Sequence, residues 1–97
     1  MNLAICAAIR SRKVVQFIYD DYIRVVEPYC HGTSAADNEL LRGYQIGGQA
    51  ESANPVGWKL FTVSKITGFI QTGDVFPTNR PGYTPYDSAM RDVHCHV

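Results

Sequence analysis

The sequence predicts a mostly β domain that curls into a small barrel or sandwich, and three observations carry that expectation. Short runs rich in β-branched and aromatic residues recur at 14–19, 22–29, 40–46 and 58–66. Turn-forming residues separate them, with Asp20-Asp21, Gly47-Gly48 and Asn54-Pro55 as the breakers. The chain has 97 residues, enough for one core. Strands in so short a chain hide their apolar faces by curling round a shared interior.

The leading segment reads as a short helix. Asn2 supplies the N-cap, Leu3, Ile5, Cys6 and Ile9 an apolar face, and Ala4, Ala7 and Ala8 favour helix and permit close packing. Ser11-Arg12-Lys13 places positive charge at its C-terminus, where the helix dipole favours it. The first strand follows, and Asp20-Asp21 turns it into the second, where Pro28 lacks a backbone donor and marks an edge or a bend. Residues 31–39 are small and polar and read as a loop. The third strand ends at Gly47-Gly48, and 49–57 connects it to the fourth. That strand starts at Trp58, bends near Ser64 and continues through 66–70, with Gly68 as a bulge or corner. Residues 1–73 therefore read as helix plus barrel. Residues 74–97, punctuated by Pro77, Pro81, Gly82 and Pro85, read as an irregular tail packed on the same domain. Within it, 87–92 suits a helical turn and 93–97 alternates like a last short strand.

Nine basic and nine acidic residues give a formal charge of zero. This argues against a surface wholly devoted to nucleic acid and leaves room for a local basic patch. Residues 1–10 are too short and too weakly apolar for a signal peptide, and no stretch is long enough to cross a bilayer. No membrane association and a cytoplasmic location are expected, with Cys6, Cys30 and Cys95 as reduced thiols.

Enzymatic signatures are lacking. Gly47-Gly48 has neither the lysine nor the following helix of a phosphate cradle, and adjacent His94 and Cys95 point to opposite faces of a strand. Neither an enzyme nor a cofactor is expected. Cys30, His31, His94, Cys95 and His96 are metal-ligand types without metal-ligand spacing, so the chain is expected to hold no metal, with Cys95 inward and His94 and His96 solvated.

Period-two geometry groups Lys59, Phe61, Val63 and Lys65 on one face of the fourth strand, and Arg42 and Tyr44 on one face of the third. A groove between them would offer cations to phosphates and a ring to a base. The same spacing fits Phe61 and Val63 as core, with the lysines flanking it and reaching water. Trp58, Tyr44, Tyr83 and Tyr86 suit a protein interface, or, for Trp58, a cap on the barrel.

The element order, with Ala8-Ile9, Val15-Gln16-Phe17-Ile18-Tyr19, Arg24-Val25-Val26-Glu27-Pro28-Tyr29, Lys59-Leu60-Phe61 and Lys65-Ile66, resembles the WYL domain. That family is a small Sm-like, SH3-type barrel found mainly in bacterial transcription regulators, and the resemblance covers residues 3–70. It implies a five-stranded SH3/Sm-like barrel and a non-enzymatic regulatory module that senses a nucleotide or single-stranded nucleic acid. Lys59, Lys65, Arg42 and Tyr44 would carry that role, with Phe61 and Arg24 beside them; Arg80, just before Pro81-Gly82-Tyr83, is a weaker candidate. Two departures stand out. Of the namesake Trp-Tyr-Leu only Tyr44 survives, in Arg42-Gly43-Tyr44, and two positions usually arginine are Lys59 and Lys65, which lack the planar fork. Nothing outside the barrel is long enough to read DNA, so the resemblance implies a sensing module without its output module. The alternative is a protein–protein module, docking on a regulator protein or forming a homodimer by edge pairing.

Overall fold

A computed structural model describes residues 1–50 and 54–97. In chain order they form α1 (Leu3–Arg10), β1 (Lys13–Tyr19), β2 (Tyr22–Thr33), β3 (Glu39–Gly48), β4 (Gly57–Thr62), β5 (Thr67–Val75) and β6 (Asp92–His96). A short 3-10 helix, Val63–Lys65, links β4 to β5. The strands make a six-stranded antiparallel sheet in the order β4-β3-β2-β1-β5, with β6 paired to β2.

The helix is capped as its sequence indicates: the Asn2 side chain accepts from the Ile5 amide at 3.0 Å. Its apolar stripe (Ile5, Cys6, Ala8, Ile9) packs on Val15, Phe17, Val26, Leu41 and Phe61, which alternate along their strands and define the inner face of the sheet. The long strand β2 is the spine. Its first half pairs with β1 and its second half with β6 along the same edge, while β3 runs along the other. Pro28 falls in the gap between β1 and β6, beside a register shift against β3, and marks a bend.

Four expectations are corrected. The segment read as a loop from residue 31 begins as strand: His31 and Gly32 pair with Leu41 and Leu40 on one side and with Cys95 and Val93 on the other. Their polar look misleads because buried His31 is fully engaged, its Nδ1 2.7 Å from the Leu40 carbonyl and its Nε2 accepting from the Asn2 amide at 3.0 Å. The bend expected near Ser64 is present as the 3-10 turn, but it ends the fourth strand at Thr62 instead of carrying it on, and the residues after it form a separate strand, β5, that returns to β1. Residues 87–92 hold no helical turn. The Met90 amide donates to the Asp87 carbonyl at 3.1 Å, closing a tight turn before β6, the sixth strand. Finally, Cys6 and Cys95 are joined by a disulfide between α1 and β6, since the β2–β6 register sets Cys95 beneath the helix. Only Cys30 is free; it is buried, and burial pushes its thiol pKa up to about 11. No described helix is long and apolar enough to cross a membrane.

The outer face of the sheet is dressed by the tail. Residues 76–91 cross it as a strap, and Phe76 and Tyr83 pack with Val14, Tyr29, Tyr44 and Trp58. Tyr29 stands at the centre, its ring 4.8 Å from Trp58, 5.2 Å from Phe76 and 5.3 Å from Tyr83.

Candidate functional site

Two forked ion pairs of opposite polarity fasten the strap. Arg80 of the strap donates through Nε and Nη2 to the two carboxylate oxygens of Glu27 on β2, each at 3.0 Å. Its guanidinium lies 4.8 Å from the centre of the Tyr44 ring. In the reverse sense, Arg42 on β3 donates through Nε at 2.7 Å and Nη2 at 3.1 Å to the carboxylate of Asp87 on the strap. The Arg42 fork, helped by the Ala89 amide, holds the Asp87 carboxyl below the usual carboxylate range. The Trp58 indole donates to the Pro81 carbonyl at 2.8 Å. Gly82 passes that indole at φ +91, where a Cβ would sit 3.1 Å from Nε1, so the close crossing calls for glycine.

Between the strap and β3–β4 lies a cavity of about 320 Å³ lined by Arg42, Trp58, Tyr83, Tyr86 and Asp87 among others. Tyr86 is 88% exposed, so its ring is largely free of protein contact. The Arg42 side chain is 28% exposed, and its Nη1 has no hydrogen-bond partner among the described residues. Tyr83 holds a buried hydroxyl that likewise lacks a hydrogen-bond partner among the described residues. Desolvation raises its pKa, so it stays a protonated donor. Chemically, the cavity combines aromatic surface, one unspent guanidinium edge and a carboxylate already committed to its partner.

The expected site residues divide between two faces. Cross-strand partners share a face. Arg42 pairs with Leu60 and Tyr44 with Trp58, whereas Lys59 pairs with Gly43 and Phe61 with Leu41. Arg42 and Tyr44 therefore lie together on the outer face under the strap, and Lys59 and Phe61 on the inner side. Phe61 is core, edge-on to Phe17 at 4.9 Å. Lys59 donates to the Asn54 carbonyl at 3.4 Å, and Lys65 is exposed on the 3-10 turn. Arg24 is buried on the inner side, donating to the Tyr19 carbonyl and to Gln45 Oε1 beneath the rings of Tyr19, Tyr22 and Phe61. The groove drawn from the alternation is not formed. Arg80 belongs to the strap's fastening.

On β6, Cys95 points inward, and His94 Nε2 lies 2.7 Å from Thr33 Oγ1. Among the described residues no three His, Cys, Asp or Glu side chains converge as metal ligands. Sequence reasoning missed Asp87, which lies 45 positions from Arg42 with no local signal to connect them. The pocket aromatics Trp58, Tyr83 and Tyr86 were visible as an aromatic-rich set but suggested a protein interface. Compared with protein-family models, with curated proteins and with solved structures, the chain matches none.

Proposed function

We propose that this chain is a non-enzymatic, WYL-like regulatory binding module that takes a nucleotide-class ligand in the cavity between the strap and β3–β4. The observation that carries this reading is the cavity's lining, three aromatic side chains beside a guanidinium with an unspent edge. Aromatic faces hold a planar ring by stacking, worth about 1–3 kcal/mol per base. Asp87, the one carboxylate among the described residues that line the cavity, is committed to Arg42 and Ala89, which favours binding over turnover. An SH3/Sm-like barrel is supported by the strand order, by the single 3-10 turn from β4 to β5, and by the return of β5 to β1. The WYL reading gains from the position of Arg42-Gly43-Tyr44, the counterpart of the namesake strand, beside the cavity. A pocket crossed by a strap suits a mononucleotide or a terminal base better than a continuous strand.

Trp58 is the only tryptophan in the chain, so its fluorescence reports on the cavity directly. Titration with the four ribonucleoside monophosphates and a short single-stranded oligonucleotide is expected to give saturable quenching by at least one mononucleotide. Tyr86→Ala should weaken it about tenfold through lost stacking, and Lys59→Ala/Lys65→Ala should leave it unchanged. No quenching and no heat of binding, from protein shown folded by circular dichroism, would overturn the reading. The protein-interaction alternative would then lead, favoured by Ile18, Ile23 and Ile70, exposed together on the part of the outer face beyond the strap.

A further inference from the structure

Taking that cavity as a nucleotide-class pocket, we infer that it recognises the guanine base and leaves the phosphate outside. Charge comes first. Arg42 is matched by Asp87 and Arg80 by Glu27, each through a two-point fork, so the two guanidiniums that fasten the strap are already neutralised. A phosphate entering beside Arg42 would lose its water and meet the Asp87 carboxylate as well as the guanidinium, which removes the electrostatic gain. A neutral ring carries no such penalty.

The geometry of the unspent donors then selects among rings. Arg42 uses Nε and one N–H of Nη2 on Asp87. What remains is the end-on edge of the guanidinium, one N–H from Nη1 parallel to the second N–H of Nη2. Two parallel donors need two adjacent acceptors. Guanine presents them as O6 and N7; adenine sets a donor amino group beside its N7, and cytosine presents a donor at the matching position. Trp58 and Tyr86 supply ring faces for stacking. Tyr83 adds a third aromatic side chain to the lining. Asp87 is a positioning residue: it cancels the charge of Arg42 and fixes which edge of the fork is left free.

The deciding experiment compares guanosine, 7-deazaguanosine, adenosine, GMP and inorganic phosphate by Trp58 fluorescence at low and near-physiological salt. Guanosine and GMP are expected to bind within about threefold of each other at both salt concentrations. Adenosine and 7-deazaguanosine, which lacks only the N7 acceptor, should each bind about tenfold more weakly or worse. Phosphate should not compete. Asp87→Asn keeps the shape and uncovers the charge, so it should shift preference toward GMP over guanosine and make binding salt-sensitive. Equal binding of guanosine and 7-deazaguanosine by the wild-type chain would overturn the inference whether or not Asp87→Asn folds. So would binding of GMP without guanosine, an outcome that leaves the nucleotide pocket standing. Silence from every ligand would overturn the pocket reading itself.

Discussion

At the residue scale, His31 shows how a polar side chain becomes structural. Its ring is wholly buried, Nδ1–H donating to the Leu40 carbonyl and Nε2 accepting from the Asn2 amide. A second proton would have to enter at Nε2, against that amide. Burial lowers the pKa below the ordinary histidine value and His94 adds to the shift, while the Leu40 carbonyl and Glu39, 3.4 Å away, pull the other way. The consequence for stability has a definite sign. Below about pH 6.5 the unfolded chain takes up a proton that the folded chain refuses. This contribution is thus complete above that pH and is lost as pH falls toward the folded value. Asp87 and Glu39, whose carboxyls titrate below the usual carboxylate range, add their own losses only at lower pH. The urea midpoint is expected to fall between pH 7 and pH 5. His31→Gln should be less stable at pH 8 yet show a flatter profile, and an unchanged slope in that variant would assign the pH dependence elsewhere. Of the residues singled out from sequence, Arg42 and Tyr44 do share the outer face, because that follows from alternation within one strand.

At the element scale the same alternation runs out. Period two tells which residues of a strand share a face and not which face the neighbouring strand aligns with it. One step of register therefore sets Lys59 and Phe61 on the opposite side from Arg42 and Tyr44. Nor does the Lys-x-Phe-x-Val-x-Lys pattern announce its own interruption at Thr62, which follows from the return of β5 to β1. The helix, the first hairpin and the bulge at Gly68, where φ is +64 and the β1–β5 register shifts, were legible because a cap, a turn and a glycine mark them locally. His31-Gly32 was not, since the second strand's far half is held by β6, about sixty residues later in the chain. Gly32 tests that contact. A Cβ there would run into the backbone carbonyl of Asp92 and stand 2.9 Å from Met90 Sδ, so Gly32→Ala must push β6 away from β2. An overpacking cost of about 1–3 kcal/mol is expected, read as a lower urea midpoint with faster amide exchange concentrated in β6. Wild-type stability and exchange in Gly32→Ala would mean that β6 is not packed this tightly.

The whole molecule is closed on itself by the Cys6–Cys95 disulfide, whose partners are 89 residues apart. It joins the first element to the last, and with the β2–β6 ladder it anchors the strap at one end while β5 anchors the other. Local sequence gave no hint of this pairing, because two cysteines at opposite ends become neighbours only after the sheet has formed. Cys30 cannot substitute for either partner: it belongs to the outer side, where its sulfur lies 3.5 Å from Met90 Sδ, whereas Cys95 lies in the helix-facing core. Cross-linking a loop of this length restricts the unfolded chain strongly, so its loss should cost about 4 kcal/mol. Treatment with a dithiol, or Cys6→Ser/Cys95→Ser, is therefore expected to lower the urea midpoint, while Cys30→Ser leaves the response to dithiol intact. Because the strap has little regular structure of its own, it should loosen before the sheet does. Reduced protein should lose amide protection first in β6 and residues 76–91, and Trp58 fluorescence should shift toward that of a more solvated indole. Equal stability of oxidised and reduced protein would show that the sheet and core hold the chain ends without the bond. A uniform loss of protection would instead tie strap and sheet into one cooperative unit, with no independent opening of the cavity.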